Sequence, residues 1–188
     1  AEVARRLRIL HADNPAQAAR IAYHLRESSQ SALACQYYIV AGEAALRRGT
    51  PSEAESEFSQ ALFIQQQIGA DLVSRVQARR GLAQAQFGLG KMADAADSVR
   101  AVCSLVGQPL PTDTVGFSLM LLRQVLEQAA YRIGLQQQVG PLIRSVNVCS
   151  PAWDLRHELL STLSVQEAFV WLDEPHLSLL CTLWGLNL

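Results

Sequence analysis

The chain has 188 residues, of which 49% are hydrophobic, 6% aromatic and 18% charged, with a formal net charge of -1. That length suits one domain or one continuous stretch of a longer repeat array, with enough apolar residue to bury a core. A charge balance this close to neutral excludes a strong nucleic-acid footprint and a polyacidic tail. No run reaches the roughly 18 unbroken apolar residues of a membrane span.

Ala and Leu dominate over aromatic residues, which favours helices over strands. The opening "AEVARRLRILHADNP" has no secretory h-region or cleavage site. In "DNPAQAARIAYHLRESS", Asn14 is placed to cap a helix, Pro15 fits its first position and Gln17 stands where a capping-box partner belongs. Ala18, Ile21, Ala22 and Leu25 then recur at three and four, marking one buried stripe. The spacing predicts a second helix over 31–48, stopped by Gly49. Thr50 is the cap of the next, with Pro51 at its first position and Glu53 as reciprocal partner. Ala54, Phe58, Ala61 and Leu62 point inward, and the helix finishes near Gly69.

Asp71 caps a helix that reaches about Leu89, closed by Gly88 and Gly90, and a shorter helix runs from Lys91 to Val106 before Gly107. "QPLPTDT" is a proline-stiffened connection, after which 113–133 is again helical and Gly134 stops it. The stretch 135–150 gives no clear pattern. Ser150-Pro151 begins a long helix to Leu172, and Asp173-Glu174-Pro175 begins the last. No period-2 run bounded by hairpin turns occurs, so no sheet is expected. The absence of an initiator Met and the ending inside "LWGLNL" make the chain read as a piece of something longer.

The middle of the chain repeats itself. Gly42, Gly49, Ala54, Phe58 and Ala61 lie over Ala83, Gly90, Ala95, Val99 and Val102 at a constant offset of 41 residues. Small residues at such positions let helix axes approach to about 8–10 Å, where Leu would not fit. The clearest copies cover 34–68 and 75–107, and the less regular helices occupy 112–188 of a single helical domain, 1–188.

In these positions the chain resembles the tetratricopeptide repeats, which place a small residue at the helix crossing, Gly at the turn, then Ala, a bulky residue and Ala on the second helix. The departures are a period of 41 where the family has 34, few aromatics in the second copy, and only Tyr38 among the usual Trp/Tyr positions. "AARIAYHLRESSQSALACQYYIVAGEAALRRGTPSEAESEFSQAL" also looks like the helical stretch of large bacterial AAA/STAND-type signalling ATPases fused to class III adenylate cyclase or LuxR-type output domains. Their "LAYH" and "AGERAL" helices match by pattern, as does "EPHLSLLCTLWGLNL" near the end. The resemblance implies a helical sensor or scaffold arm with catalytic domains outside this chain.

Searches for chemistry end in ordinary structural roles. Lys91, the only lysine, follows Gly90 without the rest of a P-loop, and reads as a turn lysine. "HELLS" from His157 to Ser161 begins like a zinc helix, but Ser161 stands where the second His belongs. His11, His24 and His176 have no ligand spacing, and His24 in "YHLRE" reads as a packing or rim residue. Glu53, Glu55 and Glu57 read as a solvated helix face near the positive end of the dipole. Cys35, Cys103, Cys149 and Cys181 are far apart among apolar neighbours, as buried, reduced thiols would be. Trp171 and Trp184 are expected to pack between the last two helices, or to form with Trp153 an apolar end that docks a neighbour. Arg5, Arg6 and Arg8, Arg47-Arg48 and Arg79-Arg80 suit salt bridges and partner carboxylates better than nucleic acid.

The resemblance places binding residues on the outward face of each first helix: Gln36, Glu43 and Arg47 in one copy, Gln77, Arg80 and Gln84 in the other. Alternating with buried Val40, Ala41, Leu82 and Ala83, they are expected to be exposed, and replacing Arg47 and Arg80 to weaken binding without unfolding. The sequence thus reads as an all-α, tetratricopeptide-like antiparallel helix-hairpin solenoid, not an enzyme, without cofactor or metal. Its expected role is protein–protein interaction or intramolecular regulation in a cytoplasmic signalling protein. The partner is a protein, a peptide or a neighbouring domain of the parent chain, with no nucleic acid or membrane. Copies would associate through uncovered array ends. The alternative is a peptide or small-molecule sensor using the concave groove.

Overall fold

Glycine punctuation decides where these helices stop. The computed structural model describes residues 17–132, 158, 160–165 and 167–187. Its helices are α1 (Ala18–Glu27), α2 (Ser31–Arg48), α3 (Pro51–Ile68), α4 (Leu72–Gly88), α5 (Met92–Leu105), α6 (Thr114–Arg132), α7 (Glu167–Trp171) and α8 (Pro175–Asn187). Residues 160–163 are helical too, and no strand occurs among the described residues. The fold is all-α. Gly49 and Gly69 close α2 and α3 at φ 73° and 66°, where a Cβ would be strained.

Side-chain caps follow the sequence in part. Asp71 accepts from the Ser74 N–H at 3.1 Å, and Asp113 from the Gly116 N–H at 3.0 Å. Thr50 stands at the head of α3 but caps no N–H of that helix. Its hydroxyl lies 3.1 Å from both the Ala45 carbonyl and Glu53 Oε2, because the Gly49 turn folds the end of α2 back onto it. The Asn14 cap and the Pro15 start lie outside the described residues; α1 begins after Gln17.

The step of 41 residues reappears in the backbone. Helices α2 and α4 begin at 31 and 72, and α3 and α5 at 51 and 92. The Thr50 N–H closes on the Ala45 carbonyl at 3.0 Å, and the Lys91 N–H closes on Gln86 at 2.9 Å. Each of α1 to α4 packs on the next, and α2 also meets α4. After α5 the pattern changes, with α7 lying on α5, and α8 against both α6 and α7.

Phe58 shows why glycine is needed inside two of these helices. Its ring is fully buried, and a Cβ built on Gly42 of α2 would lie 2.7 Å from Cζ. On Gly81 of α4 the same Cβ would lie 2.2 Å away. One ring is therefore wedged between two backbones, a contact that no larger residue permits. Ala54 and Ala61 are buried beside it as expected, whereas Leu62 sits half-buried at the edge. Val40, expected inside, is 41% exposed. It occupies the α2 position that corresponds to Gly81 by the step of 41 residues.

The long helix expected from 150 to 172 is interrupted by a turn at 164–165. Hydroxyls compete for the backbone at that point: Thr162 Oγ1 donates to the Glu158 carbonyl at 2.8 Å, and Ser164 Oγ to Ser161 at 2.6 Å. The remaining C-terminal core brings Phe169, Leu180 and Trp184 against Val99, Val102 and Cys103. Trp184 is buried as expected; Trp153 and the Trp171 side chain lie outside the described residues, as do His11, His157, Cys149 and Arg5, Arg6 and Arg8. Among the described residues no helix is long and apolar enough to cross a membrane.

Candidate functional site

Residues 77, 80 and 84 share one face of α4, and 43 and 47 share a face of α2, because helical neighbours recur at three and four. The contact of α2 with α4 sets these faces side by side. Arg80 is the centre of the cluster. Its guanidinium reaches Glu43 Oε1 at 2.9 Å and Gln84 Oε1 at 3.1 Å. Its Nε donates to Glu158 Oε2 at 2.5 Å, and Gln77 Nε2 donates to the other oxygen of that carboxylate at 3.3 Å. Arg47 lies 4.0 Å from Glu43 Oε2 at the rim.

Five of the six residues singled out in the sequence are thus brought together: Glu43, Arg47, Gln77, Arg80 and Gln84. Gln36, exposed on α2, makes none of these bonds. Their expected exposure needs correction. Only Gln36 and Arg47 are exposed; Glu43, Gln77 and Gln84 are half-buried, and the Arg80 side chain is 12% exposed. The cause is Glu158, itself 9% exposed at the side chain, which arrives from 78 residues away and covers the face. No local pattern announces that arrival. "HELLS" drew attention to Glu158 only as part of a metal motif, and its carboxylate serves instead as the partner of Arg80.

A guanidinium fork held by two carboxylates and an amide is a strong, geometrically specific contact. Removing the cation would leave the buried Glu158 carboxylate without a charge partner and Glu43 with only Arg47 at the rim. At this site both carboxylates that hold the guanidinium belong to the same chain.

The neighbouring arginine does something else. Successive helical residues diverge by about 100°, so Arg79 points away from Arg80 and lines, with Arg75, a cleft of about 530 Å³ between α3, α4 and α5. Gln65, Gln66, Ser104 and Leu105 complete that lining. Other charged residues pair at the head of α3. Lys91 and Glu55 pair at 2.8 Å across layers, and Arg48 and Glu53 pair at 2.8 Å, so two of the three glutamates at the head of α3 hold cations. The third, Glu57, is half-buried with Oε2 unpartnered, and burial first, then the charge of Glu53, raises its pKa above the usual range. His24 stacks edge-on with Tyr23, and His176 with Phe117. Cys35, Cys103 and Cys181 are free and buried, and burial holds all three thiols above their ordinary pKa, Cys181 at about 12.

Compared with family models, with curated proteins and with solved structures, the chain matches none.

Proposed function

We propose that this chain is a non-catalytic, tetratricopeptide-like scaffold whose α2/α4 face grips an acidic protein segment, and that Glu158 occupies that face in cis. The observation that carries the reading is the bond from Arg80 to a carboxylate 78 residues distant. Supporting it are the 41-residue step in helix starts and the close crossing at Gly42, Phe58 and Gly81. Both belong to stacked hairpins with a shared first-helix surface. Buried free thiols suit a reducing, cytoplasmic setting. In the signalling ATPases that the sequence resembles, neighbouring domains would supply the acidic segment, which makes the Glu158 contact a self-inhibitory one.

The test compares the wild-type chain, Glu158→Gln and the double variant Glu158→Gln/Arg80→Gln for binding of a fluorescent decapeptide of alternating Asp and Glu, read by anisotropy. Releasing the internal carboxylate is expected to tighten binding at least tenfold, and loss of Arg80 to abolish the gain. Equal affinity of wild type and Glu158→Gln, or binding that survives loss of Arg80, would refute the reading.

A further inference from the structure

The cleft beside Arg75 and Arg79 is a place where the repeat departs from itself. One layer earlier, the positions equivalent to 75 and 79 are Ala34 and Tyr38, by the same step of 41 residues. Both are buried, and they share a core with Ile21, Leu25 and Ile64. Leu25 is matched in turn by Gln65, since each accepts the closing bond of its helix, from Gln30 at 3.0 Å and from Ala70 at 3.5 Å. Three apolar residues that fill the first layer are therefore replaced, in the second, by two arginines and a glutamine that line an open cleft.

The replacement sets two cations side by side, Arg75 exposed and Arg79 half-buried. Two guanidinium groups one helical turn apart repel each other. Among the described residues neither has a hydrogen-bond or ion-pair partner, although Arg26, Arg47, Arg48, Arg80, Lys91 and Arg100 all hold one. Burial, reinforced by the charge of Arg75, lowers the pKa of Arg79, which marks an uncompensated cation. The floor is polar as well. Gln65 Nε2 is fixed on Ser74 at 3.0 Å, leaving Oε1 buried without a donor.

We infer that this cleft binds a small oxyanion-bearing ligand, a phosphate monoester or a carboxylate, with its anionic head between Arg75 and Arg79 and its body along Leu62, Ala70 and Leu105. Arginine forks suit both heads through paired N–H donors. The volume of about 530 Å³ suits a metabolite-sized molecule. The site is separate from the Arg80 face and stands or falls independently of it.

Thermal unfolding of the whole chain tests this, at fixed ionic strength, with inorganic phosphate, glycerol 3-phosphate and succinate titrated separately against chloride. At least one is expected to give a saturating rise in Tm on the order of 2–4 °C, and which arm responds tells phosphate from carboxylate. The double variant Arg75→Gln/Arg79→Gln should lose the response while its unliganded Tm equals or exceeds that of wild type, since the repulsion is gone. Arg79→Lys, which keeps the charge but not the fork, should weaken binding several-fold; Arg47→Gln should leave it intact. No saturating response in any arm overturns the inference, and so does a response that persists in the double variant.

Discussion

The two hairpin layers solve the same crossing with opposite choices. In the α2–α3 layer a large ring, Phe58, is accommodated by having no side chain at Gly42 and Gly81. In the α4–α5 layer the equivalent pair is Ala83 and Val99, both fully buried. Volume is traded across the contact, a smaller knob against a slightly larger floor. The comparison teaches that the repeat conserves a gap, not residue identities. That is why the second copy carries so few aromatic landmarks.

Emptying the wedge should have the largest effect. Phe58→Ala removes a ring held on two sides by backbone that cannot collapse inward, and should cost about 3–5 kcal/mol in denaturant unfolding. The equivalent change in the other layer, Val99→Ala, should cost clearly less, because fewer atoms are lost. Equal losses would mean that the wedge is not special. Next comes Arg80→Ala, expected to cost about 3 kcal/mol by stranding Glu158 and leaving Glu43 only Arg47 at the rim. This departs from the sequence-based expectation of a harmless surface change, because the side chain is 12% exposed. Combining it with Glu158→Gln should recover a large part of the loss.

Gly81→Ala comes third. A methyl group 2.2 Å from the ring must displace it, costing about 1–3 kcal/mol, against which helix propensity returns about 1 kcal/mol. Adding Phe58→Val shortens the ring to the length used in the other layer, so the double variant should be more stable than the sum of the singles by a measurable coupling. Additive losses would show that the two layers are not interchangeable in this way.

Much of this was legible in the sequence, for a physical reason: helix ends and crossings are local. Gly49, Asp71 and the offset between Gly42 and Ala83 are fixed by neighbours within a few turns, so their spacing appears in the chain. Glu158 on Arg80 was not legible, since a contact across 78 residues leaves no periodic trace. The stop at Ser164 was missed because hydroxyl competition looks, in sequence, like an ordinary polar helix face. Arg79 was visible only as half of an ordinary arginine pair, and Arg75 carried no pattern of its own. Their contrast with Ala34 and Tyr38 needs the layer correspondence before it says anything.

The smallest expected effect also separates the layers, at Glu57 and its equivalent Ser98. Ser98 is buried and donates to Gln86 Oε1 at 2.8 Å. The residue matching Gln86 in the first layer is Ala45, a methyl group with nothing to exchange, and Glu57 Oε2 is left without a partner. Burial, then the nearby Glu53, raises the Glu57 pKa. A carboxyl that holds its proton more tightly when folded gives the native state the larger proton count between its unfolded and folded pKa values. Stability therefore falls as pH rises through that window, and the penalty is complete once the pH is above the folded value. Glu57→Gln escapes it. The variant should unfold at a higher temperature than wild type near pH 7, and the advantage should shrink as pH falls, reaching its minimum below the unperturbed glutamate value of about 4.3. Melting curves across that range check the sign: an advantage that grows on acidification would mean that the Glu57 carboxylate is stabilised in the fold, and that the first layer has found a partner for it after all.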